Sequence, residues 1–188
     1  MKQSPSSSLL AISPIDGRYK KEVEDLSNYF SEYAYLKYRV IVEINYLLAL
    51  SKLEIIRKIN IKEEKVLKNI IDKFSLIDAK RIKKVEEKTK HDVKAIEYFI
   101  KQKFIKNSLS DISGFIHFGL TSEDINNIAI RLMLKDANEK IIIPELKNLN
   151  SVILNEYNKY RKLPMLARTH GQPAVHTTLG KEFLVFYK

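Results

Sequence analysis

"TSEDINNIAIRLMLKDANEKIIIPELKNLNSVILNEYNKYRK", residues 121–162, opens with Thr121 and Asp124 at capping-box spacing, followed by Ile125, Ile128 and Leu132 at helical steps. The pattern predicts one long helix from 121 to about 162, bent near Pro144, because a proline inside a helix removes a backbone hydrogen bond and clashes with the preceding turn. A helix of roughly 40 residues rises about 60 Å. The core of a small globule needs nothing so long, so this element calls for partners along its length, from its own chain or from neighbouring subunits.

Upstream, the chain reads as helical nearly throughout. Leu36, Val40, Ile44 and Leu47 form one apolar stripe, Val66, Leu67, Ile70, Ile71 and Phe74 a second, and Val93, Ile96, Ile100 and Phe104 a third. No alternating run flanks a two-residue hairpin turn, so strands are expected to be incidental and the fold all-α. A boundary is expected in "NSLSDISGFIHFGLTSED", dividing a small N-terminal helical domain, 1–112, from the first part of a long-helix bundle, 113–188. The closing "TTLGKEFLVFYK" carries Leu184, Val185, Phe186 and Tyr187 with no capping Gly after them, and reads as a helix cut short.

At 188 residues and 45% hydrophobic the chain can build a real core. Every Ile/Leu run is interrupted well before the roughly 18 apolar residues a membrane span requires. The N-terminal "MKQSPSSSLLAISP" has no apolar stretch of secretory length. With no Cys there is neither a disulfide framework nor thiolate chemistry, and a soluble cytoplasmic protein is expected. The net charge of +10 comes mostly from Lys scattered among Glu, Asn and Ile. Nucleic-acid readers lean on Arg and on aromatic-interleaved patches, so a solvated surface or an anionic small molecule fits better than DNA or RNA.

Three of the five Gly and three of the four His fall in short punctuated segments: "SPIDGRY" (13–19), "KTKHDVKA" (88–95), "IHFGLTSED" (116–124) and "ARTHGQPA" (167–174). Loops on a rigid scaffold are where binding groups sit. Arg18 and Tyr19 follow a Pro-Ile-Asp-Gly turn, where a guanidinium fork suits a phosphate or carboxylate, although a solvated surface turn explains them as well. Asp92 is a natural N-cap with His91 beside it, at a helix end that attracts anions. Thr121 and Ser122 stand at the start of the long helix, whose first N–H groups are free donors, and His117 is either a ligand group or a core residue among Phe115, Ile116 and Phe118. His170 sits between Arg-Thr and a Gly-Gln-Pro turn that would present its imidazole stiffly for proton transfer. His176 reads as a residue of a helix-capping region. The four His show no HExxH spacing, so no zinc site is expected.

Taken together and in this order, "SPIDGRY", "HDVKAIEYF", "IHFGLTSEDINN" and "RTHGQPA" resemble the adenylosuccinate lyase branch of the fumarase/aspartase superfamily, from about Ser13 onward. The resemblance implies a fumarase/aspartase-like helical fold and β-elimination of fumarate from adenylosuccinate, giving AMP, and from the succinyl-carboxamide ribotide of purine synthesis. It implies His170 as general acid, and Arg18, Tyr19, Lys90, His91, Asp92, Thr121 and Ser122 as substrate-binding residues, with His117 near the substrate phosphate. It further implies a nucleotide substrate, no cofactor or metal, and a homotetramer whose active sites draw on three subunits. Lys90 departs from the Asn common in the family, and a cation there can still meet an anion. The family's base, a Ser in a loop of the type "SSxMPxKxNP", has no counterpart in these 188 residues, so the chain by itself is expected to be inactive. Another fumarate-releasing lyase, such as an argininosuccinate lyase, and a non-catalytic helical fragment are the alternatives.

Overall fold

The computed structural model describes residues 9–105 and 107–187; the N-terminal octet read above for a leader, and the final Lys188, lie outside the described residues. The chain divides into two compact units, Met1–Ala137 and Asn138–Lys188.

In the first unit a turn-rich segment leads through a 3-10 turn, Glu24–Leu26, and a short helix α1, Ser27–Phe30, into α2, Glu32–Lys52. Then come α3 (Ile61–Asp72), α4 (Leu76–Thr89), α5 (Asp92–Phe104), a 3-10 segment Ser110–Phe115 and α6 (Ser122–Ala137). Each start has a local cause. Ser31 accepts the Ala34 N–H at the head of α2, while Asn60 with Glu63 and Ser75 with Asp78 form capping boxes on α3 and α4.

The α2 helix is the spine. Leu36, Val40, Ile44 and Leu47 are buried as the periodicity predicts, and so are Val93, Ile96, Ile100 and Phe104 on α5. One face of α2 joins Leu67, Phe74, Ile82, Ile96 and Phe104 in the main core. Another, through Ala34, Tyr38 and Val42, meets Ile125, Ala129 and Met133 of α6. Each buried Val, Leu, Ile, Phe or Met among them contributes about 1.5–3 kcal/mol. The stripe expected on α6 is narrower than drawn: Ile128 is half exposed, and burial falls on Ile125, Ala129, Met133 and Ala137, the first three packed with Ala34, Tyr38 and Val42 of α2 and Val93 of α5. That same seam keeps α6 with the helices before it, and the first compact unit runs to Ala137.

Arg57 ties the far end of this unit. Its guanidinium donates to both oxygens of Glu63 at 2.9 Å, to Asp111 at 2.6 and 2.8 Å and to the Ser108 carbonyl at 2.8 Å. The Arg57 bonds first, then the Asn60 N–H and the Ser108 hydroxyl, hold the buried Glu63 carboxyl down at about 2 against an ordinary 4.5. A depressed carboxyl stabilises the fold above its unfolded value and ceases to do so as pH falls through the folded one. Solvent at the partly exposed Arg57 trims the gain, so acidification from about pH 5 to pH 2 should remove on the order of 2 kcal/mol through this group. Urea titrations at both pH values should show that loss in the wild type, and Glu63→Gln should be less stable at pH 5 and largely relieved of the pH step. An equal step in the variant would dismiss Glu63 as its source.

The second unit starts with a π turn, Asn138–Ile142, before α7, Ile143–Tyr160, which carries Pro144 in its first turn. Where the bend is expected, the proline has no N–H to donate, and the residues just ahead of it adopt the wider π form. None of the α7 side chains is buried, and Leu146, Leu149 and Val152 are more than half exposed.

The largest local departure follows. Residues Pro164–Thr169 (β1) and Gln172–Thr178 (β2) form an antiparallel hairpin with a bulge between Leu166 and Arg168, the only sheet among the described residues. No hydrophobic alternation announced it because both strands are mostly exposed, and there is no inward face to mark. His176 belongs to β2, and the helix cap nearby is Thr178, which accepts the Lys181 N–H at the head of α8, Leu179–Leu184. Gly180 lets α8 close onto the end of α7: a Cβ there would lie 2.5 Å from the Arg161 Cα. Among the described residues no helix is long and apolar enough to cross a membrane.

Candidate active site

Among the described residues four non-glycine residues have positive φ, and three of them, Lys90, His117 and His170, were singled out by sequence as site candidates. Such backbone is uncommon outside glycine and persists where surrounding structure enforces it.

Arg18 and Tyr19 emerge from a tight turn. The Ser13 carbonyl accepts the Asp16 and Gly17 N–H groups at 3.1 Å, and the Tyr19 N–H donates to Pro14 at 2.9 Å. Both side chains are exposed, with the Arg18 guanidinium 5.9 Å from the Tyr19 ring.

Lys90 ends α4 in the left-handed conformation, its N–H donating to Glu86. With Lys83, Glu86, Glu87 and Asp92 it lines a surface hollow of about 510 Å³. The cap of α5 corrects the sequence reading: His91 is the N-cap, its Nδ1 accepting the Lys94 N–H at 3.2 Å, and Asp92 is the first helical residue. Asp92 is drawn elsewhere, because Arg39 donates to its Oδ2 at 2.6 Å. Burial works against the Asp92 carboxylate, but the Val93 N–H and Arg39 outweigh it and hold the group below its usual range.

The segment before α6 is strapped from two sides. His117, at φ +64°, shares a 2.6 Å hydrogen bond between its Nδ1 and Oε1 of Glu43, and the Tyr46 hydroxyl donates to the Phe118 carbonyl at 2.8 Å. Of the two readings left open for His117, neither is complete: one nitrogen faces the core and the ring is 14% exposed. The capping box at α6 is half formed. Both the Thr121 N–H and its hydroxyl donate to Asp124, keeping that carboxyl below its ordinary value, with His117 adding to the effect. Ser122 is the first residue of α6.

Sequence reading missed the residues that assemble this face. Arg39 also donates to Asn126 on α6 at 3.0 Å and lies 3.7 Å over the Tyr35 ring, so one buried guanidinium joins α2, α5 and α6. Glu43 follows one helical turn later and Tyr46 three residues beyond it, so successive turns of α2 reach Asp92, His117 and Phe118. The available signal was two charges embedded in the apolar run "YRVIVEI".

His170 belongs to the second unit. With Gly171 it forms the two-residue loop between Thr169 and Gln172, at φ +52° and +75°, the signature of a type I′ turn. Its Nδ1 lies 2.9 Å from the Thr169 hydroxyl and the ring is exposed.

A family model described as "Lyase" matches residues 17–188. The chain is similar to the adenylosuccinate lyase of Dictyostelium discoideum, 51% identical over 185 residues, covering 95% of this chain and 40% of that protein. It is likewise similar to those of Buchnera aphidicola subsp. Acyrthosiphon pisum, at 47% identity with 96% and 40% covered, and Escherichia coli (strain K12), at 46% with 94% and 40% covered. It thus spans about 40% of the length of these curated relatives. In shape it is similar to the fumarate lyase of Mesorhizobium sp. BNC1, with TM-score 0.70, 20% identity, and 87% of this chain and 36% of that one covered. The β-carboxy-cis,cis-muconate cycloisomerase of Acinetobacter calcoaceticus sp. ADP1 matches at TM-score 0.66, 23% identity, with 87% and 37% covered. These two likenesses speak to fold alone.

Proposed function

This chain belongs to the lyase family, and from that premise we propose that the protein built on it is an adenylosuccinate lyase, releasing fumarate from adenylosuccinate to leave AMP. What carries the reading is the 51% identity to an enzyme of that name across 185 residues, a span that includes all four punctuated segments. The same activity would act on the succinyl-carboxamide ribotide of purine synthesis.

In the proposed β-elimination a base takes a proton from the succinyl carbon, the carbon–nitrogen bond breaks as the double bond of fumarate forms, and an acid protonates the departing nitrogen. His170 is the acid. A two-residue turn holds it at the tip of a hairpin, where proton transfer needs one fixed approach. Arg18, Lys90, His91, His117, Thr121 and Ser122 suit the substrate's phosphate and two carboxylates, which are anions that helix starts and cations attract. Tyr19 and Asp92 complete the binding set, Asp92 toward donor groups of the ligand.

The reading extends to assembly: residues 113–188 contribute to the central bundle of a cytoplasmic homotetramer, with 1–112 as the N-terminal domain. The exposed Leu134, Leu146, Leu149 and Val152 support a bundle, since such apolar helical faces are buried in partners. Ultraviolet monitoring of a full-length protein carrying this chain should show fumarate formed from adenylosuccinate. Absence of fumarate would remove the activity, and release from argininosuccinate instead would move the protein to another branch.

A further inference from the structure

We propose that Glu43 is the positioning residue of His117, locking the imidazole with Nδ1 turned into the core so that Nε2 alone faces the ligand. What His117 then meets rests on the lyase reading above; the lock itself rests on geometry.

The Glu43 side chain is fully buried in the middle of α2. Its Oε1 lies 2.6 Å from His117 Nδ1, and its Oε2 has no hydrogen-bond partner among the described residues. A buried carboxylate with half its capacity unused is costly, and an apolar side chain of that size would serve packing better. Burial pushes the Glu43 carboxyl up, His117 opposes this, and buried Glu97 facing it from α5 adds to the rise. Glu97 is itself engaged by Lys94 at 2.9 Å and Lys101 at 3.7 Å, and Arg39, one turn back on α2, is engaged by Asp92 and Asn126. Among the described residues, the group that gives Glu43 a purpose is His117.

The backbone agrees. His117 and Gly119 both have positive φ, and the Tyr46 hydroxyl pins Phe118 between them, so the loop is bent to carry its ring to α2. With two protons on the pair, the shared one lies between Oε1 and Nδ1, the pair is neutral overall, and Nε2 carries an N–H. With one proton, Glu43 accepts the Nδ1–H and Nε2 offers a lone pair. An anionic ligand oxygen selects the first state, and in either state Glu43 dictates which nitrogen faces out. Asp124 on α6 is the further carboxylate within the field of His117.

Two measurements test this. In ¹⁵N-histidine NMR of the chain, the His117 Nδ1 proton should resonate far downfield of any ring proton of exposed His91, His170 and His176. It should move upfield in Glu43→Gln, which keeps an acceptor, and vanish in Glu43→Leu. In a full-length protein, Glu43→Leu should raise KM about tenfold with kcat little changed, and Glu43→Gln less, whereas in a His117→Ala background either change should fall below about twofold. A His117 Nδ1 without that proton, or Glu43 variants equally harmful once His117 is gone, would overturn the proposal. If Glu43→Leu does not fold, Glu43→Gln decides alone. If no fumarate is made, the resonance still decides the lock and only the lyase reading falls.

Discussion

His170→Ala in a full-length protein carrying this chain should lower kcat by about 10²–10⁴-fold, the range a positioned general acid contributes. Alanine also disturbs the turn, because φ of +52° strains any side chain that cannot stabilise the left-handed region. His170→Asn separates the two effects: Asn accepts type I′ turns readily, so the hairpin stays while the titratable proton is lost. The Asn variant should match the Ala variant in kcat within about threefold while melting like the wild type, because on the proposed mechanism the lost proton accounts for most of the effect. Activity within a few-fold of wild type in His170→Asn would take the acid role away from His170.

Arg39→Met should cost about 3 kcal/mol in urea unfolding and raise KM for the substrate about tenfold. The magnitude comes from two hydrogen bonds, at 2.6 Å to Asp92 and 3.0 Å to Asn126, and from the stacking on Tyr35. Asp92 is 43% exposed and can recover some hydration, which keeps the figure below that of a fully buried pair. Met retains most of the apolar stem, so the loss reads the guanidinium and not a cavity. Arg39→Lys should recover less than half of it, because a point charge cannot serve Asp92 and Asn126 in two directions while lying flat on a ring. A stability change under about 0.5 kcal/mol in Arg39→Met would show that α5 and α6 hold Asp92 and Asn126 without it.

Both predictions turn on residues whose importance was visible in very different degrees. The short segment around His170 was conspicuous because Gly and Pro beside a His stand out in a helical chain. Its hairpin was not, since two exposed strands leave no hydrophobic alternation to read. Arg39 and Glu43 were passed over because each sits inside an apolar stripe whose period explained the helix without them. Asp92 was read as the N-cap, its commonest role at a helix start, but Arg39 draws it away and His91 takes the cap.

The sequence by itself determined the helical elements, since apolar residues at 3.6-residue spacing and polar caps act over one or two turns. It also determined the four polar segments that carry the candidate site, because glycines, prolines and histidines outside the stripes are local signals. Only the tertiary structure decided how those segments are held. Arg39 reaches Asp92 across 53 positions and Glu43 reaches His117 across 74, so both bonds exist only once α2 is packed against its neighbours. The left-handed backbone at Lys90, His117 and His170 belongs to the same level, because a strained φ survives only where surrounding contacts enforce it.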